Sequence, residues 1–328
     1  MSLSAHQRQR LQTVGWHEDT QTGELAPGKI VARVTAQHRN GYRVHDGDTE
    51  FNAQPAPRFL RRKADPAERP AVGDFVVIAP GNPALIENVL CRRTILRRAA
   101  AGERHAAQTI ATNIDTVFVL MGLDGDFNPR RVERYLLLIE GSGAGAVVVL
   151  TKCDKVDDAD ESLARLRAAM PAIEIHVVNA KDANSVAPLL THLQRGDSAV
   201  LVGSSGAGKS TLTNTLLGEQ RQTTSTVRDS DSRGRHTTTH RALIQLPGGG
   251  CLIDTPGMRE LKLVGDEDLG ETSFADIETL ALECRFGDCV HGNEPGCAVK
   301  AAVESGALDE DRWHAYLKLR DELILASD

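Results

Sequence analysis

Eight consecutive residues, Gly203, Ser204, Ser205, Gly206, Ala207, Gly208, Lys209 and Ser210, spell GSSGAGKS and satisfy G-x-x-x-x-G-K-[ST]. The apolar run SAVLV precedes them and a helical pattern starts at Lys209, which is the context a phosphate-binding loop requires. Glycines there let backbone N–H groups close around phosphate oxygens. Lys209 then reaches the β and γ phosphates and the Ser210 hydroxyl ligates Mg²⁺, with Thr211 continuing the binding stretch. The turn DTPG, Asp254 to Gly257, ends the strand-like run CLID. An acid in that place holds Mg²⁺ through water, and the Gly257 N–H senses a γ-phosphate.

Two further short runs supply base selectivity. In TKCD, formed by Thr151, Lys152, Cys153 and Asp154, the Asp154 carboxylate can accept both the N1–H and the 2-amino group of guanine. Adenine offers neither donor in those places. The Lys152 stem can lie over the base, and Asn179, Ala180 and Lys181 bring the Ala180 N–H to guanine O6. Each run alone is weak, but each closes a buried-strand pattern, and together they read as one GTP site.

A different chemistry sits near the end of the chain. Cys284, Cys289, His291 and Cys297 provide three thiolates and one imidazole within 14 residues. That is a complete tetrahedral set with no open position, and hence a structural metal site. Cys91, Cys153 and Cys251 are scattered and read as small buried hydrophobes.

The elements that must carry these groups follow from periodicity. A chain of 328 residues suggests two or three domains, and 41% hydrophobic with 25% charged residues describes an ordinary globular protein. Residues 1–28 form a polar tail or short helix. Residues 29–105 contain five β-like runs, KIVARVTAQ, GYRVHDG, TEFNAQ, DFVVIAP and ALIENVLCRR, split by Gly, Asn-Gly and Pro, which suits a small OB-type barrel. Over 106–272, near-continuous Val/Leu/Ile strands alternate with helices, the pattern of a parallel sheet covered on both faces. Residues 273–328 read as helical around the cysteine cluster. Net charge is −7, yet residues 29–104 hold 14 basic and 8 acidic side chains, a local +6 that leaves −13 elsewhere. A basic module on an acidic chain points to a polyanion contact. The amino terminus shows no signal-peptide core and no run reaches the roughly 18 residues of a membrane span, so a cytoplasmic protein is expected, with a monomer as the default.

The motif order is base reader (151–154), base loop (179–181), phosphate loop (203–211), switch I (about 221–240), then the DTPG turn. The phosphate loop usually comes first, so this domain reads as cyclically permuted. Order and flanking segments resemble one family, the ribosome small-subunit-dependent, circularly permuted GTPases. The resemblance rests on the motifs above with GYRV, VGDFVVI, GRHTTTH, DTPGMREL and CRFGDCVHGNEPGCAV, and covers nearly the whole chain after residue 28. It implies an OB-type barrel, a permuted P-loop GTPase domain and a helical zinc-binding domain. It also implies zinc at the four residues named, Mg²⁺ with GTP, stimulation by the 30S subunit, contact with 16S rRNA, and a role in late subunit maturation. Thr151 stands where Asn is commoner, removing one loop-bracing amide. Met258 follows the DTPG turn where many GTPases carry a water-orienting Gln. The resemblance points instead to His236, with Thr237, Thr238 or Thr239 completing the Mg²⁺ shell and Thr238 the choice made here. Met258 also keeps open an RNA-binding scaffold with incidental hydrolysis. An RNA-modifying enzyme is disfavoured, because no catalytic constellation lies outside the GTPase motifs and the closed metal set.

Overall fold

The computed structural model describes residues 3–38, 40–61, 65–99, 107–125, 127–218, 241–254, 274–292 and 294–327. The amino-terminal stretch is built into the core. Helix α1 (Ala5–Leu11) carries a capping box between Ser4 and Gln7, and its Leu11 joins Leu3, Val14 and Trp16 against Phe75 and Leu90. Strands β1 (Ile30–His38), β2 (Gly41–His45), β3 (Glu50–Pro55), β4 (Phe75–Ala79) and β5 (Ala84–Val89) match the five β-like runs of the sequence. They pair in the order β1-β2-β3-β5-β4, and β4 returns to β1, which closes a five-stranded barrel. Closure removes the free edges that short strands would otherwise expose. A four-residue helix, α2 (Pro57–Leu60), leads out of β3 and buries Phe59 in the barrel core.

A hairpin of β6 (Ile95–Ala99) and β7 (Ala107–Thr112) follows, which strand periodicity did not reveal. The boundary expected at 105/106 falls in its connection. Next come β8 (Thr116–Gly122), α3 (Pro129–Glu140), β9 (Gly145–Thr151), α4 (Asp160–Ala169), β10 (Glu174–Val177), α5 (Ala183–Val186), β11 (Ser198–Gly203) and α6 (Lys209–Leu217). Then come β12 (Ala242–Gln245) and β13 (Cys251–Asp254). These strands run β10-β9-β8-β11-β13-β12, parallel except for β12, and β12 pairs antiparallel with β1 at Ala242 and Ala36, so the same hydrogen-bonded sheet continues into the barrel. Strands β8 and β11 are buried along their whole length, as expected where helices cover both faces.

The carboxyl-terminal helices α7 (Ala275–Ala281), α8 (Ala298–Glu304) and α9 (Glu310–Ser327) contribute Ile277, Val299 and Tyr316 to the apolar cluster that also holds Val132 and Leu136 of α3. Arg312 of α9 holds Asp276 through two hydrogen bonds of 2.6 and 2.7 Å and reaches Glu133 of α3 at 3.1 Å.

Barrel and parallel sheet meet at Arg33, a fully buried residue of β1. Its guanidinium donates to the carbonyls of Val14, Gly73 and Asn113 and to the Ser198 hydroxyl at 2.6–3.0 Å. Four segments of the chain thus converge on one cation, whose burial depresses its pKa. Sequence counted Arg33 among the cations facing a polyanion; it is internal. Arg92 and Arg93 are likewise engaged, with the buried Asp74 and with Asp115. Cys91 is exposed and Cys153 half-buried, so only Cys251 of the three scattered cysteines is the buried hydrophobe expected.

Candidate nucleotide and metal sites

The carboxyl ends of β9, β10, β11 and β13 lie along one edge of the parallel sheet and carry Thr151–Asp154, Asn179–Lys181, Gly203–Ser210 and Asp254. In an open α/β sheet this edge is where ligands bind. Gly203 leaves β11 with φ +144°, packed so closely on β8 that a Cβ would lie 2.3 Å from the Leu120 carbonyl oxygen. Gly206 and Gly208 adopt φ +82° and +95°, conformations L side chains rarely take. Helix α6 begins on Gly208 with no side-chain cap. In an ordinary helix Ser, Thr or Asp would cap the first-turn amides, and a helix start without such a cap is suited to an anion. The Lys209 ammonium curls over the loop and donates to the Gly203 and Ser204 carbonyls, both at 2.6 Å.

The base reader is braced to this loop after all. The buried Thr151 hydroxyl donates to the Ala207 carbonyl at 2.7 Å, doing with one O–H what the sequence reading counted as lost with the missing Asn amide. Lys152 takes φ +62°, uncommon outside glycine, and its ammonium meets Asp124 at 2.5 Å. Asp124, in the loop after β8, carries no motif signature, and spacing could not have found it. The Asp154 carboxylate lies 3.6 Å from the Lys181 ammonium. The Asn179 side chain accepts from the Lys181 amide at 3.1 Å, and Thr215 of α6 donates to the Ala180 carbonyl at 2.6 Å, tying base loop to phosphate helix. Ser205, Cys153, Ser210 and Thr211 lie within these same loops and the start of α6. His236, Thr238 and Gly257 lie outside the described residues.

The Cys/His set is also assembled. The Cys284 and Cys297 sulfurs stand 3.9 Å apart, and His291 Nδ1 lies 3.5 and 3.6 Å from them. Cys289 completes the group, with all four ligand atoms within 4.8 Å of one another. Tetrahedral zinc with Zn–S of about 2.3 Å and Zn–N of about 2.0 Å has S···S and S···N edges of about 3.8 and 3.5 Å. The donor set therefore fits that ion in chemistry and spacing. His291 is buried, and burial pushes its imidazole pKa down, toward the neutral form a ligand must have.

The family model described as RsgA GTPase matches residues 89–264, more than half of the chain. The chain belongs to the RsgA GTPase family. Among its curated relatives is the Small ribosomal subunit biogenesis GTPase RsgA of Xanthomonas axonopodis pv. citri (strain 306), 53% identical over 328 residues, covering 97% of this chain and 90% of that one. The protein of the same name from Xanthomonas campestris pv. campestris (strain B100) is 52% identical over 338 residues, covering 100% and 92%. Among solved structures, YjeQ from Thermotoga maritima aligns with TM-score 0.65 and 26% identity over 90% of this chain and 99% of that one. YloQ, titled a circularly permuted GTPase, aligns with TM-score 0.63 and 24% identity over 92% and 98%. RsgA GTPase membership and the strand order agree: this is a circularly permuted GTPase, and the family implies Mg²⁺ with GTP. No helix among the described residues is long and apolar enough to cross a membrane.

Proposed function

We propose that this GTPase hydrolyses GTP to GDP and phosphate on the 30S ribosomal subunit during its late maturation, working in the cytoplasm as a monomer. The observation that carries this reading is the gathering of both base loops, the phosphate loop and Asp254 on one sheet edge, in a chain 53% identical to a small-subunit biogenesis GTPase. Asp154 and the Ala180 amide select guanine, Lys152 covers the base, and the Gly203–Gly208 amides with Lys209 hold the phosphates. Ser210, Asp254 and Thr238 would hold Mg²⁺, which neutralises charge developing between the β and γ phosphates. Gly257 senses the γ-phosphate, and His236 aligns the attacking water in place of the Gln that Met258 replaces.

The barrel, read as OB-type over 29–105, meets 16S rRNA through cations outside its internal pairs, such as the exposed Arg61 and Arg69. Such contact tracks phosphate backbone and weakens with salt. Cys284, Cys289, His291 and Cys297 would hold one zinc and so fix the helical unit 273–328 against the GTPase unit 106–272. The switch region then connects a metal-braced unit to the sheet, so nucleotide state is transmitted to it. The test compares His236→Ala with the parent chain for GTP binding and for turnover with 30S subunits. Retained binding with stimulated turnover lowered about 100-fold is expected, the scale of losing one preorganised group. Unchanged stimulated turnover removes His236 from the mechanism. A variant that binds subunits and supports their assembly without hydrolysis favours the scaffold.

A further inference from the structure

A second cluster of metal-ligating side chains lies away from both sites. Glu174 opens β10, the edge strand of the parallel sheet, and His176 two residues on shares its face. His192 closes the short 3₁₀ turn Ala187–His192 that follows α5, its ring edge-on to the buried Phe118 with centroids 5.9 Å apart. The two imidazoles come from separate elements, yet both Nε2 atoms aim at one oxygen. His176 lies 2.7 Å and His192 3.3 Å from Glu174 Oε1, and all three ligand atoms fall within 4.8 Å of one another. Each His side chain retains only 21% exposure while Glu174 retains 51%, so the cluster is shielded beneath and open to water above.

We propose that Glu174, His176 and His192 form a second metal site, distinct from the Cys/His set, taking a divalent transition ion of the Zn²⁺, Ni²⁺ or Co²⁺ class with water in the remaining positions. Two imidazoles and one carboxylate suit these borderline ions, whereas Mg²⁺ and Ca²⁺ want oxygen donors throughout. A divalent cation complements two neutral imidazoles, with centroids 6.2 Å apart, and the carboxylate oxygen they share. A tetrahedral ion with bonds of about 2.0–2.1 Å needs N···O edges of about 3.3 Å. The His192 edge already has that length, and the His176 edge reaches it by opening about 0.6 Å, within the reach of an exposed carboxylate rotamer. The site lies toward the amino end of β10 and the nucleotide edge lies at its carboxyl end, so an ion here clamps the edge strand to the turn carrying His192.

The experiment uses untagged protein with its Cys/His set saturated with zinc, titrated calorimetrically with NiCl₂ and, separately, ZnCl₂. One further ion per chain is expected. His176→Ala and His192→Ala should each weaken it at least about tenfold, the lower scale for disturbing a metal site, and Glu174→Gln should weaken it as well. Acidification should release the ion, because protons compete for imidazole nitrogen. Far-ultraviolet dichroism of each variant checks that β10 remains folded. A wild-type isotherm matching that of the His176→Ala/His192→Ala double variant overturns the proposal, as does the absence of any ion beyond the first. An ion that Glu174→Gln leaves unaffected overturns the three-ligand site.

Discussion

The phosphate loop and the Cys/His cluster are both short constellations, legible from spacing, yet they hold their shape by opposite means. The phosphate loop is backbone architecture. Three glycines at positive φ, a glycine-to-carbonyl packing contact and one buried hydroxyl shape it without a ligand. The Cys/His cluster is side-chain architecture. Cys284, Cys289, His291 and Cys297 leave loops with little regular structure, and the ion they fit would supply the cross-link. The first is preorganised by the fold; the second should depend on its metal.

Metal removal separates the two most sharply. Structural zinc contributes on the order of 10 kcal/mol to small metal-dependent folds, so Cys297→Ser or chelation should release one zinc and unfold the region around 284–304. Hydrogen exchange should rise there and leave β8, β9 and β11 protected; a uniform rise would merge the two regions. Gly203→Ala attacks the other side. Its Cβ would meet backbone rather than a movable side chain, at a φ that alanine rarely adopts, so a loss of about 3 kcal/mol or more is expected from the unfolding midpoint, with GTP affinity falling too. Thr151→Val is subtler. It leaves the Ala207 carbonyl without its hydroxyl donor and should cost about 1–3 kcal/mol in stability, while the ratio of GTP to ATP affinity, proposed to depend on Asp154, stays put.

The smallest effect belongs to the junction between barrel and sheet. The Asp115 carboxylate, whose Oδ1 lies 3.2 Å from His17 Nε2, raises the His17 pKa against the opposing effect of burial. The stabilisation from this pair is therefore complete below the ordinary value of 6.5 and fades as pH rises through the higher folded value. With both side chains of this pair partly exposed, less than about 1 kcal/mol is involved. His17→Gln should flatten the pH dependence of the unfolding midpoint across that window, and an unchanged slope would remove the pair from the account.

What the sequence revealed and what it hid divide along a physical line. The five barrel strands, the parallel strands and every motif loop in the described residues depend on neighbours within a few positions, and periodicity carries that information. The groups that join segments do not. Arg33 reaches Ser198 across 165 positions, which charge counting along the chain cannot distinguish from a surface cation. Asp124 reaches Lys152 from another loop, Thr151 reaches Ala207, and the polar-looking tail buries Leu3, Leu11 and Trp16. The β6–β7 pair has no sequence signal because ILRRA and AQTIAT lack a clean alternation and the residues between them, 100–106, contain no Asn-Gly or Pro.

GTP turnover of the chain alone and with added 30S subunits, using 50S subunits and ATP as controls, is the most direct test of a 30S-dependent GTPase. Slow turnover alone and strong stimulation specific to both GTP and 30S are expected. Equal turnover with either subunit, or equal use of ATP, would contradict that reading.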